Sequence, residues 1–242
     1  MPNILLTVAA RGGSKSVKDK NIREVKGRPL ISYTLMQAKK WGKAKRIVCT
    51  TDSSAIADLA KKWGAEVPFR RPAALGADHV GKIPVLRHAL KESEAFYKET
   101  FDIVVDLDVT SPLRKISDLD HCLKLFLDKK PKTLFSVVAA RRNPYFNMVE
   151  EDTDGRVSIC KLLSSRVLRR QDAPKVYDMN ASIYFYDRDY LSDERHVTAI
   201  SDNSIVYVMD EVSCLDVDSE LDFKLVEFLL TQKEVIDEQL FA

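Results

Sequence analysis

Ile4-Leu5-Leu6-Thr7-Val8-Ala9, followed without a break by Ala10-Arg11-Gly12-Gly13-Ser14-Lys15, decides the fold. A short apolar run that ends in a glycine-rich stretch reads as a buried first strand, of the kind parallel sheets use. Outward from it, strand-like and helix-like segments alternate. Pro29 begins a helical stretch in which Ile31, Thr34, Leu35 and Ala38 share a face, with Gly42 placed to end it. Arg46-Ile47-Val48-Cys49-Thr50 reads as a second strand. Asp52-Ser53-Ser54 then supplies N-cap candidates for a helix carrying Ile56, Leu59, Ala60 and Trp63. Glu66-Val67-Pro68-Phe69 suits an edge strand, because its proline has no amide proton to give a ladder. A helix over 83–98, a central strand over 101–107, a helix around Ile116, Leu119, Leu123 and Leu127 and a strand over 133–138 follow. Later come strands at 181–186 and 205–208, and a last helix with Leu221, Leu225, Phe228 and Leu229 on one face. The alternation predicts a mostly parallel sheet covered by helices.

Between Ala140 and Asp178 the pattern breaks into a basic stretch that contains Pro144 and Pro174 and has no period of its own. It reads as an excursion from the sheet, either an active-site flap or an oligomerisation arm. Apolar residues make up 45% of the 242 and charged residues 31%, which excludes disorder and fibrous repeats and allows one sizeable core. Thirty-eight basic residues against 36 acidic argue against a dedicated nucleic-acid binder. No apolar run approaches the ~20 residues that cross a bilayer, and the first strand meets Arg11 too soon to be a secretory signal. Cys49, Cys122, Cys160 and Cys214 are dispersed and read as reduced thiols, not as a disulfide framework or a zinc site. The expectation is one cytoplasmic α/β domain over 1–242, with residues 140–178 as an arm within it and neither nucleic acid nor membrane as a partner.

The glycine-rich stretch is the first chemical signal. From Arg11 to Arg28 seven residues are basic and two acidic, in a chain that is otherwise nearly neutral. Tandem glycines let the backbone turn tightly and bring N–H groups close to an anion, and Arg and Lys add mobile charge for a polyphosphate. The stretch lies where open α/β sheets bind ligands, at the carboxyl end of a strand. It is neither G-x-G-x-x-G nor G-x-x-x-x-G-K-[ST], so the dinucleotide and P-loop fingerprints are missing. A solvated basic loop is the plainer reading. The second signal is Asp216-Val217-Asp218. In an extended segment residues two apart project to one side, so both carboxylates can meet one hard cation; alternatively Asp218 or Ser219 caps the last helix.

Several segments in order resemble the acylneuraminate cytidylyltransferases, which activate nine-carbon 2-keto sugar acids as CMP-sugars. They are Ala10-Arg11-Gly12-Gly13-Ser14-Lys15, Lys20-Asn21-Ile22-Arg23, Gly27-Arg28-Pro29-Leu30-Ile31, Thr50-Thr51-Asp52-Ser53 and Phe69-Arg70-Arg71-Pro72-Ala73. Thr110-Ser111-Pro112-Leu113-Arg114 and Leu215-Asp216-Val217-Asp218-Ser219-Glu220-Leu221-Asp222 complete the set. The resemblance implies a Rossmann-like, mostly parallel sheet flanked by helices, of the nucleotide-diphospho-sugar transferase type, with a dimerisation excursion. Residues 141–147, 170–174 and 177–184 look most like the bacterial branch acting on legionaminic acid. Asp108 stands where the sialic-acid branch has glutamine, and Asp178-Met179 where it has Arg-Pro, which puts ordinary N-acetylneuraminate in doubt.

By that resemblance the reaction joins CTP to the sugar's anomeric hydroxyl and releases pyrophosphate. Ala10, Arg11, Gly12, Gly13, Ser14, Lys15, Lys20 and Asn21 are then the triphosphate and ribose residues, and Arg71, Ala77 and Asp78 the cytosine end. Asp216 and Asp218 hold Mg2+, and Arg11, Lys20, Asp216 and Asp218 are the catalytic set. Asp108, Thr110, Arg170 and Asn180 face the sugar acid, with Arg170 as its carboxylate partner. A homodimer is expected, with Arg170 acting either within its own subunit or across the interface. The competing readings are CMP-N-acetylneuraminate or CMP-pseudaminate synthesis and, in a different class, a nucleotide sensor without catalysis.

Overall fold

The computed structural model of the chain describes residues 2–13, 17–77 and 80–232. It opens with β1 (Ile4–Ala9), a two-residue ribbon of β2 (Glu24–Val25) and β3 (Arg28–Pro29), and α1 (Leu30–Trp41). β4 (Arg46–Thr50), α2 (Ser54–Lys62), α3 (Lys82–Tyr97), β5 (Ile103–Leu107), α4 (Ile116–Lys129) and β6 (Thr133–Ala139) follow. The excursion carries the hairpin β7 (Val149–Glu151) and β8 (Val157–Ile159). Then come β9 (Tyr177–Asp187), α5 (Arg188–Ser192), β10 (Ser204–Val208) and α6 (Glu220–Leu229).

Six strands form the central sheet in the order β10-β6-β9-β5-β1-β4. β1 lies parallel to both β4 and β5, and β6 parallel to β10; β9 alone runs antiparallel to its neighbours. The chemistry of β1 explains its central place. Ile4, Leu6 and Val8 pack into the core under α1 and α4, whereas Leu5 joins Val48, Val104, Leu86 and Leu90 on the other face. β9 reverses because the excursion from β6 brings the chain back without a crossover helix, which a parallel return requires.

The local signals act largely as expected. Pro29 is the N-cap of α1, and Gly42 ends the helix in the left-handed conformation at φ 66°. Ser53 caps α2, its side chain accepting from the Ile56 amide. Three expectations are corrected. The 66–69 edge strand reduces to a single bridge, Glu66 with Val48, since Pro68 cannot donate to a continued ladder. β9 begins at Tyr177, earlier than expected, with a register shift against β6 between Phe135 and Val137 and Ala181 in a left-handed conformation. In α6 the core face is Phe223 and Val226, while Leu221, Leu225 and Phe228 are exposed. Both sets have helical spacing, and the capping box of Ser219 with Asp222 anchors the helix with the first one inward.

Candidate active site

β4 and β5 lie on opposite sides of β1, and the connections leaving β1 and β5 run in opposite directions, one toward β4 and the other toward β6, so they diverge at the strands' carboxyl ends. A crevice opens at such a switch point. Here it has a volume of about 530 Å³ and is lined by Arg11, Lys20, Asn21, Arg71, Ala77, Lys82, Asp108, Thr110, Asp216 and Asp218, among others.

The loop after β1 forms one wall. Asn21 is buried, and its Nδ2 donates to the Arg11 carbonyl at 2.9 Å, fixing the loop's return. Gly12 matters through close approach: a Cβ there would stand 3.1 Å from the Ser53 Cβ, whereas one on Gly13 would meet nothing within 4 Å. Neither glycine adopts the left-handed conformation, so what Gly12 demonstrably supplies is the close approach to Ser53. Ser14 and Lys15 lie outside the described residues, as does Asp78.

Asp52 organises the second wall. Its Oδ1 accepts from the Gly12 amide at 3.0 Å and from Arg71 Nη2 at 3.2 Å. Burial raises the Asp52 carboxyl, but the Gly12 amide and the Arg71 guanidinium outweigh it and hold the group below the usual carboxylate range. Gly76 passes so close that a Cβ would lie 2.5 Å from Asp52 Oδ2. Arg71 is 5% exposed, and its Nη2 also donates to the Ala10 carbonyl at 3.1 Å. Its Nε is buried with no hydrogen-bond partner. Arg71 is thus a fixed part of the crevice wall.

The segment 215–218 arrives from the far end of the chain. The Val217 amide donates to the Thr110 carbonyl at 2.9 Å, and Val217 itself is fully buried, so Asp216 and Asp218 both line the crevice. Lys20 Nζ reaches across, 2.5 Å from the Val217 carbonyl and 3.3 Å from Asp218 Oδ1. Capping of α6 falls to Ser219 and Asp222, which leaves the Asp218 side chain facing outward. Burial pushes the Asp216 carboxyl up, a hydrogen bond with Thr110 opposes it, and the nearby Asp108 carboxylate adds to the rise. Asp216 Oδ1 is buried without a hydrogen-bond partner.

The crevice floor holds a cluster that the sequence reading did not single out. Lys82 Nζ lies 3.0 Å from Asp106 Oδ2 and 2.5 Å from Asp108 Oδ2. Thr7 Oγ1 donates to Asp106 Oδ1 at 2.8 Å. Burial would lower the Lys82 ammonium, yet the Asp106 and Asp108 carboxylates keep it well above the usual lysine range; burial also raises Asp106. One signal was available: two aspartates two apart at the end of an apolar strand demand a nearby cation. Which cation answers is visible only in the fold. Arg114, from the Thr-Ser-Pro-Leu-Arg segment, is buried beneath. Its Nε donates to Ser182 Oγ at 3.0 Å, its Nη2 to the Asp108 carbonyl, and burial pushes it down to about 10.

The four sugar-side candidates are divided. Asp108 and Thr110 line the crevice. Asn180 is buried behind it in the β9 irregularity, its Oδ1 accepting from Ser136 Oγ at 2.7 Å. Arg170 is exposed on the excursion, lining a separate hollow of about 640 Å³ beside Asn143 and Tyr177, with Nη2 2.8 Å from the Ala140 carbonyl.

An open, mostly parallel α/β sheet that gathers cations and a carboxylate pair at its switch point defines a nucleotide-handling protein. A family profile described as "Cytidylyltransferase" matches residues 5–234, and the chain belongs to that family: it is a nucleotidyltransferase. It is 46% identical, over 97% of its length and 98% of the relative's, to post-translational flagellin modification protein B of Campylobacter coli. It is 45% identical, with the same coverage, to a CMP-N,N'-diacetyllegionaminic acid synthase of Campylobacter jejuni. Among solved structures, a CMP:2-keto-3-deoxy-manno-octonic acid synthetase complexed with CTP shares the fold at TM-score 0.69 and 16% identity, covering 96% of this chain and 99% of that one.

Proposed function

We propose that this cytidylyltransferase couples CTP to the anomeric hydroxyl of a nine-carbon 2-keto sugar acid, N,N'-diacetyllegionaminic acid, giving the CMP-sugar and pyrophosphate. The observation that carries the proposal is the meeting of Lys20 with Asp218, which puts phosphate-type cations and a carboxylate pair in one crevice. The choice of sugar acid rests on the near-full-length likeness to the legionaminic acid synthase.

In this reading Arg11 and Lys20 neutralise charge that grows on the phosphoryl oxygens, the largest contribution such a site makes to rate. Asn21 and Gly12 shape the backbone that the triphosphate follows. Arg71, held by Asp52 and the Ala10 carbonyl, offers its unpartnered buried Nε toward the cytosine end, beside Ala77. Asp108 and Thr110 meet the sugar acid.

Asp216 and Asp218 would hold Mg2+, and the residues fit it. Asp216 Oδ1 is a buried acceptor without a donor, and two carboxylates with substrate phosphates are this ion's usual ligand set. Among the described residues no cluster of three or more metal-type side chains exists, so an all-protein cage is not the design. When bound, magnesium draws charge from the departing pyrophosphate.

The excursion is the proposed homodimer contact. Leu162, Leu163, Leu168, Val149 and Val157 are exposed on it, an apolar concentration that a partner subunit would cover. Arg170 then reaches a sugar acid from across that interface. The test is pyrophosphate release from CTP and magnesium over a panel of legionaminic, pseudaminic, N-acetylneuraminic and 3-deoxy-octulosonic acids. The diacetylated legionaminic acid is expected to lead; no release with any of them would refute the proposal.

A further inference from the structure

We infer that Lys82 is a positioning residue for substrate choice: it fixes the Asp108 carboxylate as an acceptor for a hydroxyl or amide N–H of the sugar acid. The inference rests on the reading that the crevice takes such an acid. Lys82 is the first residue of α3, and its ammonium is occupied on three sides. Asp106 Oδ2 and Asp108 Oδ2 take two, and the face of the Tyr184 ring, 4.5 Å away at its centroid, takes the third. An ammonium held between two carboxylates and a ring face has its charge drawn to Asp106 and Asp108 and away from a phosphate. Asp106 is fully buried and tied to Thr7, so it anchors the lysine from below. Asp108 stands at the lining of the crevice and hydrogen-bonds through Oδ2; among the described residues Oδ1 has no donor.

A second carboxylate two residues beyond a buried one is tolerable only because a cation sits between them. Once locked, an ionised carboxylate accepts and never donates, so it favours a ligand group that carries a proton. It also repels the triphosphate, which keeps the nucleotide toward Arg11 and Lys20. A partly buried acceptor of this kind discriminates against analogues that lack the donor, because its desolvation on ligand binding is then uncompensated. Neither Lys82 nor Asp106 has to touch the reacting atoms for this to work.

The experiment separates the two substrates. Lys82→Met and Asp108→Asn are prepared singly and together, and pyrophosphate release is measured with sugar acid and CTP varied in turn. CTP affinity is measured separately by calorimetry. Each single variant is expected to raise KM for the sugar acid by about tenfold or more, the cost of one charged hydrogen bond. CTP affinity should move by less than about threefold, and the double variant should be no worse than the poorer single one, since the two residues act as a unit. Equal losses for CTP and sugar acid, or effects that multiply in the double variant, would overturn the inference. Lys82→Met leaves Asp106 without its counter-charge; if it fails to fold, Lys82→Met/Asp106→Asn replaces it, judged by the same KM comparison. The wild-type chain separates the two failures: no turnover with any acid removes the proposed function, whereas normal turnover with unchanged variants removes only the role of Lys82.

Discussion

Lys20 and Asp218 stand 198 positions apart in the chain and 3.3 Å apart in space. The contact ties the loop after the first strand to the segment that enters the last helix. It exists because two different elements end at the same edge of the sheet: β1 delivers Arg11–Asn21, and the Thr110–Val217 hydrogen bond sets Asp216 and Asp218 opposite. The Asp218 side chain is 77% exposed and that of Lys20 only 12%, so the pair itself adds little stability and its meaning is chemical.

Lys20→Ala should therefore leave the fold nearly unchanged and lower kcat by about 10²–10³, the usual effect of removing one group that stabilises developing negative charge. Lys20→Arg, which keeps the charge but not the reach to the Val217 carbonyl, should fall between. Steady-state pyrophosphate release with matched melting curves checks both. A Lys20→Ala enzyme with ordinary turnover would remove the residue from the catalytic set.

Asp216→Asn tests the carboxylate pair. The wild-type buried oxygen lacks a donor, so an amide of the same shape costs the fold little, while it takes away one negative ligand. Turnover should drop by at least about a hundredfold, and the magnesium concentration for half-maximal rate should rise. Asp222→Asn is the control, since Asp222 belongs to the α6 capping box: it should lower the melting temperature and leave the magnesium dependence alone.

How much of this was legible before the structure follows from where each signal resides. β1 is local, an apolar run that leads into glycines and basic residues within a few positions, and the strand folds as read. Asp216 and Asp218 were legible as a pair because alternation along an extended segment is a property of the backbone. Lys82 was not, because nothing near position 82 marks it; only the packing of α3 against β5 brings its ammonium to Asp106 and Asp108. The α6 face was misread for a related reason. Two apolar sets share helical spacing there, and the choice between them depends on the capping box and on the core below. Asn180 sits within the β6–β9 register shift, an irregularity with no periodic signature in the sequence, and Arg170 lies on the aperiodic excursion before β9.

Gly76→Ala places a methyl group 2.5 Å from Asp52 Oδ2, and Asp52 is held from two other sides by Gly12 and Arg71. The carboxylate cannot give way without releasing the arginine. A loss of about 1–3 kcal/mol in urea unfolding is expected, as for other overpacked sites. Gly13→Ala, where a Cβ meets nothing within 4 Å, should stay within about 0.5 kcal/mol of the parent.

Asp52 also gives the protein an acid limit. Its carboxyl lies below the usual range in the folded chain, so the folded state binds the proton less readily than the unfolded one. The stabilisation is complete above the ordinary aspartate value of about 3.9 and disappears as pH falls from there through the depressed folded value. Asp52→Asn should lower the melting temperature at pH 7, and the gap to the parent should narrow between pH 5 and pH 3. A gap that stays constant over that range would show that the carboxylate's charge is not what holds Arg71 and Gly12.

The excursion offers the last test. Leu162 is 82% exposed and Leu168 74%, yet large apolar side chains so placed cost solubility unless something covers them. Leu162→Ser/Leu168→Ser should shift sedimentation from a dimer to a monomer at micromolar concentration without lowering the melting temperature of the sheet. If Arg170 serves a crevice across the interface, the same variant loses turnover with the sugar acid while its affinity for CTP, which the proposal assigns to Arg11, Lys20 and Arg71 within one chain, is retained. Mixing inactive Lys20→Ala subunits with inactive Arg170→Ala subunits should then restore part of the activity, because one crevice in each mixed dimer has both residues. No recovery in the mixture would place Arg170 outside the reaction or within its own subunit's site.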